Sequence, residues 1–153
     1  MKRIIRRLAL AGLCVGLSAF ARAQADRAVP PPVIHKGLEM AVVGVERASS
    51  AGLSDCPPGE NTQRAMAKPG EGFAIVTVKM KVLPAYNPGP LNRPVLTDAA
   101  GKTYNTAVSF VDLQKVPEVS CAFPFRIPDG TKLKSVRIDT VSFDLTRFDA
   151  VPR

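Results

Sequence analysis

The side chains of this 153-residue chain that could bind metals, exchange disulfides or attack carbonyls are few: Cys14, Cys56, Cys121, one histidine (His35) and four methionines. Nucleophilic catalysis needs a base beside the nucleophile. With His35 the sole imidazole, a Ser-His-Asp or Cys-His site would require the Pro-rich segment that carries it to fold back onto the domain. A zinc site needs about four converging Cys, His or carboxylate ligands, which one histidine and scattered acids do not supply. Copper binding by Met40, Met66 and Met80 with His35 competes with core packing, since Met40 and Met80 fall in register with apolar strand faces. Asp139 with Asp144, and Glu60 with Glu71, read as solvated strand and loop charges. Neither a Gly-rich phosphate loop nor a calcium-loop motif occurs. No cofactor is therefore expected, and the residues do not describe an enzyme.

Which cysteine chemistry is open depends on the compartment. The chain begins with a basic stretch (Lys2, Arg3, Arg6, Arg7), then an apolar run from Leu8 to Ala21, then two overlapping A-x-A sites, Ala21-Arg22-Ala23 and Ala23-Gln24-Ala25. This is the pattern of a cleaved secretory signal peptide over residues 1–25. The apolar run is shorter than the roughly 20 residues of a spanning helix and holds two glycines, so no stable membrane span is expected after cleavage. Leu13 precedes Cys14 where a lipoprotein signal carries a small residue, and Cys14 leaves with the signal. The expected location is periplasmic or secreted. There, the remaining pair, Cys56 and Cys121, is most simply a disulfide. No Cys-x-x-Cys is present for thiol exchange.

Signal removal also changes the charge. Residues 1–25 hold five of the 21 basic side chains and no acid, which leaves 16 basic against 13 acidic residues, a net charge of +3. The remaining Lys and Arg are scattered and Trp is absent, so a nucleic-acid partner is not expected. The 128 residues that remain suit one domain with one core. All 14 prolines lie among them, about twice the ~5% average usage, and they fall between apolar runs. Strands joined by turns are the consequence.

The elements follow from the spacing. Residues 26–37, with Pro30-Pro31-Pro32, read as an extended linker or mobile arm that leaves His35 exposed. Residues 38–153 read as the domain. Leu38, Met40 and Val42 mark the first strand. Ala74, Val76, Val78, Met80 and Val82 mark the strongest, with Phe73, Ile75 and Thr77 making its start apolar on both sides. Val95–Thr97 and Lys102–Tyr104 flank an Asp98-Ala99-Ala100-Gly101 turn, in which Gly101 can take a positive φ. A strand to Ile127, a turn at Pro128–Thr131 and a final strand from Leu133 follow. The parity change between Val136, Ile138 and Val141, Phe143 places a bulge or break near Asp139-Thr140. The segment "NTQRAMAK" is the one short helical candidate. Five to seven strands at this spacing predict an all-β, antiparallel immunoglobulin-like β-sandwich.

With these elements in place, "GEGFAIVTVKMKV", "LTDAAGKTY" and "FRIPDGTKLKSVRI" together resemble the DUF4352-type domains of exported bacterial proteins, through Gly72, Asp98, Gly101, Tyr104 and Pro128. The resemblance covers about residues 37–145 and implies their telokin-like, MPT63-like immunoglobulin fold. It implies no catalytic set. The expected function is that of a non-catalytic exported domain binding a protein or cell-envelope component through loops or a sheet edge. The candidate surface is the irregular run Pro84–Pro94, with Tyr86 exposed as an anchor beside Asn87 and Arg93; a plain connecting loop is the competing reading. The alternative function is a small-ligand or metal carrier, and a hydrolase with His35 as base is the third.

Overall fold

Alternation of large apolar and polar side chains forces the longest strand to bury one edge of its pleat along its whole length, and the rest of the sandwich is assembled around it. The computed structural model describes residues 30–60 and 62–148. The signal segment 1–25 with Cys14 and both cleavage sites, and residues 26–29 of the Pro-rich lead, lie outside the described residues.

Ten strands follow in chain order: β1 (Val33–His35), β2 (Leu38–Ala48), β3 (Ser50–Leu53), β4 (Gln63–Met66), β5 (Glu71–Val82), β6 (Val95–Asp98), β7 (Thr103–Asn105), β8 (Glu118–Pro128), β9 (Leu133–Ile138) and β10 (Val141–Asp144). They form two four-stranded antiparallel sheets, β1-β2-β5-β8 and β10-β9-β6-β7, with β3 and β4 as a separate pair. The first sheet turns Leu38, Met40, Val42, Ala74, Val76, Val78, Met80, Phe123, Phe125 and Ile127 inward; the second contributes Leu96, Val136, Ile138 and Phe143 to the same core. The fold is an all-β antiparallel sandwich, as the spacing predicts. Burying a Phe or Leu side chain contributes about 1.5–3 kcal/mol, so Phe123 and Phe125, both fully buried, are principal supports.

The two-sided start of β5 is also present. Phe73 is 4% exposed although it lies on the outward parity, where Arg126 places its guanidinium 5.1 Å from the ring centroid and β3 packs on β5 and β8. The expected β6–β7 hairpin closes through Gly101 at φ 85°. Its N–H donates to the Asp98 carbonyl at 3.0 Å.

Three local expectations need correction. The end of the supposed linker is strand: Val33 pairs with Met40 and His35 with Leu38. Lys36 and Gly37, at φ 50° and 76°, form the two-residue reversal between β1 and β2, where positive φ at both positions suits the twist of a hairpin. The prolines explain why β1 is so short. Beyond Val33 they offer no N–H to the open edge of β2. The segment read as helical is β4, whose Ala65 pairs with Ala51. There are ten strands among the described residues, not five to seven. The bulge or break expected near Asp139-Thr140 is present as a break, a turn between β9 and β10. Val141 pairs with Ile138, so the chain reverses there through Asp139 at φ 53°, and the change of parity records a turn between two strands.

Candidate functional site

Loop Pro84–Pro94 carries the chain from the end of β5 to the start of β6, from one sheet to the other. Four prolines deny it regular pairing, yet it is held at its base. The Leu83 N–H donates to the Gly37 carbonyl at 2.9 Å, the Tyr86 N–H to the Leu83 carbonyl at 2.9 Å, and the Asn87 N–H to the Lys36 carbonyl at 3.4 Å. The approach to the β1–β2 turn is so close that a Cβ at Gly37 would overlap the Tyr86 backbone.

Tyr86, Asn87 and Arg93 thus lie on one loop, but they do not play one part. Tyr86 is half-buried and packs, with Leu91, against the core. This corrects its expected role as an exposed anchor: with so many apolar strand residues beneath the loop, the ring is worth more inside. Asn87 and Arg93 are exposed. Beside them a shallow cleft of about 180 Å³ opens between Tyr86, Pro88, Pro90 and Leu91 on one side and Phe110 and Leu113 on the other.

A buried carboxylate lies at the same end of the sandwich, and the reading of Asp139 as a solvated charge is wrong. Its side chain is 4% exposed. One oxygen, Oδ2, accepts from His35 Nε2 at 2.7 Å and from Lys36 Nζ at 2.9 Å; the other, Oδ1, accepts from the Asn92 amide at 2.8 Å. Lys36 and then His35 hold the Asp139 carboxyl well below the usual carboxylate range, helped by Asn92 and against burial, which alone would push it up. His35 is accordingly no exposed linker residue. It is half-buried at the end of β1, and its Nε2 is committed to Asp139. The sequence hides this arrangement because its members come from three separated segments.

Asp98 is a second engaged acid. It accepts the Lys102 N–H at 2.8 Å and the Tyr104 hydroxyl at 2.9 Å. Burial pushes its carboxyl up, but these two donors, the Ala100 backbone and the Lys102 charge together more than offset that and the net shift is downward. Asp98, Gly101 and Tyr104 therefore act together as the clasp of one hairpin.

Cys56 and Cys121 are joined in a disulfide, with their Cα atoms 5.5 Å apart and both side chains buried in the core. The Cys56 loop is further stitched to the segment before the Leu113–Lys115 3-10 turn: the Cys56 N–H donates to the Ser109 carbonyl, and the Val111 N–H to the Cys56 carbonyl, each at 2.8 Å. Phe110 then meets Phe123 at 5.4 Å between ring centroids.

The methionines divide as their register predicts. Met40 and Met80 are fully buried and Met66 is exposed on β4. Among the described residues, no three His, Cys, Asp or Glu side chains gather as a metal-ligand set. At the opposite end from the Pro84–Pro94 loop, an open groove of about 920 Å³ is lined by Val45, Arg47, Phe73, Ile127, Lys132 and Phe148, among others. Arg47 donates there to the Thr131 carbonyl at 2.7 Å. Among the described residues no helix is long and apolar enough to cross a membrane.

No family model matches the chain, and no curated protein matches it. A solved structure similar to it is that of an uncharacterized β-sandwich protein from Clostridium difficile 630. The two are 10% identical, with 75% of this chain and 88% of the other covered and a TM-score of 0.46.

Proposed function

We propose that the chain is a non-catalytic, exported domain of the DUF4352 type that binds a protein or cell-envelope component through the Pro84–Pro94 loop. The observation that carries this reading is the way the loop is held. Backbone bonds to the β1–β2 turn and the Asn92–Asp139 bond fix its ends, while Asn87 and Arg93 face solvent. A loop ordered before binding loses less entropy on association than a free one. The prolines add to that stiffness, and a rigid scaffold that presents an irregular loop is a common arrangement for recognition. A buried disulfide is compatible with export. The acids most able to act as a catalytic partner to His35 or Tyr104 are instead engaged in turns, which favours a structural role for both.

Recovery of partners from the cell envelope by the mature domain, compared with Asn87→Asp and Arg93→Glu, tests the reading. These exposed positions can change without disturbing the core. Weaker recovery of the same partners by the variants is expected, and recovery equal to wild type would remove the loop as the binding surface.

A small-ligand carrier is the second reading, and the groove beside Arg47 and Phe148 favours it. Ligand-induced protection of Phe73 or Lys132, with no effect at Asn87 and Arg93, would replace the first reading by this one.

A further inference from the structure

We infer that Asp139 is a positioning residue for the Pro84–Pro94 loop, its single carboxylate fixing the loop's shape by joining Asn92 within the loop to His35 and Lys36 on the turn beneath it. What the loop presents to a partner rests on the binding reading above; the positioning itself is independent of any partner.

The loop divides into two halves that are held differently. Leu83 and Asn87 tie its first half to the β1–β2 turn through backbone bonds to Gly37 and Lys36, and the Tyr86 N–H closes back on the Leu83 carbonyl. In its second half Pro88, Pro90 and Pro94 have no N–H to give, and the side chain of Asn92 reaches Asp139 instead. The platform under the first half is set by the same acid, since His35 and Lys36 both bond to Oδ2. Asp139 belongs to the β9–β10 turn of the second sheet, whereas His35 and Lys36 belong to the edge of the first. Loss of the carboxylate thus frees Asn92 in the second half, loosens the platform under the first, and leaves three donors, His35, Lys36 and Asn92, without their acceptor, a cost larger than that of one neutral bond. The low proton affinity of the Asp139 carboxyl keeps the acceptor ionised at neutral and mildly acidic pH.

Residue-resolved amide hydrogen exchange on the whole chain tests this, with Asp139→Asn and Asn92→Ala. Asn tolerates the left-handed backbone of the turn, so Asp139→Asn keeps the reversal and removes the charge. Asn92 is exposed, so Asn92→Ala spares the core and reports on the second half alone. In Asp139→Asn the amides of Leu83, Tyr86 and Asn87 should exchange about tenfold faster, as expected when a charge-assisted bond is lost from a locally opening segment. Those of Val76, Val78 and Phe123 should change far less. Asn92→Ala should move the amide resonances of Leu91 and Arg93 without accelerating exchange at Val78. Wild-type exchange at Tyr86 and Asn87 in Asp139→Asn overturns the proposal. So does an equal acceleration of every amide, core included, which marks Asp139 as a contributor to global stability only. Faster loop exchange with undiminished partner recovery supports the positioning and overturns the binding reading alone.

Discussion

His35 and Asp139, 104 residues apart in the chain, meet at 2.7 Å across the end of the sandwich. The contact joins the edge strand of one sheet to a turn of the other, and it makes the only imidazole of the chain a structural donor. Replacing His35 by Ala removes a partly buried bond to a charged acceptor, and a loss of about 1–2 kcal/mol in unfolding free energy is expected. Urea denaturation of the two proteins measures it. An unchanged midpoint and slope would show that Lys36 and Asn92 satisfy Asp139 without the imidazole.

The acid dependence of the same cluster has a definite sign. Lys36, then His35, lower the proton affinity of folded Asp139 relative to the unfolded chain, so its stabilisation is present above the unfolded value of about 3.9. It is lost as pH falls from there towards the folded value. The stability gap between wild type and Asp139→Asn should therefore be largest above about pH 5 and shrink below about pH 4. Denaturation series at several pH values check this, and a gap that widens in acid contradicts it.

Gly37 carries two constraints at once: a positive φ of 76° and no space for a Cβ beneath Tyr86. Gly37→Ala should cost more than the ~1 kcal/mol of backbone strain alone, because the loop must also lift. Thermal unfolding gives the size of the effect, and an altered Tyr86 fluorescence or ring resonance would locate it. An Ala variant as stable as wild type would mean that the loop is not seated on this turn.

Reduction of the Cys56–Cys121 bond should destabilise the protein by about 4 kcal/mol at most, the entropy of closing a 65-residue separation in the unfolded chain. Because both sulfurs are buried, thiol labelling of the mature protein, which lacks Cys14, should find none reactive unless the protein is both unfolded and reduced. Two labelled cysteines without reductant would exclude the bond.

What the sequence reveals and conceals follows from the range of the interactions. Ala74, Val76, Val78 and Met80 declare their strand because alternation is a local signal, and Asp98 with Gly101 declares its turn within four residues. β1 is masked because Pro30–Pro32 dominate the composition of a segment whose last three strand residues pair regularly with β2. β4 has no buried stripe, since three of its four residues are exposed, so nothing in "QRAM" distinguishes strand from helix. The break in parity at Asp139-Thr140 is visible, but one-dimensional spacing cannot tell a bulge from a reversal. The surroundings of Asp139 are invisible for a stronger reason: its partner Asn92 lies 47 residues away and His35 lies 104 away. Tyr86 looks exposed in a polar, Pro-rich run, and only the position of the core beneath it reveals otherwise.

The bond between Cys56 and Cys121 also makes the intervening chain a covalent ring that contains β4 to β7 and the whole Pro84–Pro94 loop. Exposed loops are where proteases cut first. A single cut within this ring opens it into two arms that stay attached through sulfur, and the paired strands keep the arms in place. A molecule clipped at its exposed loop thus persists as one unit, and migrates as two fragments only once it is reduced.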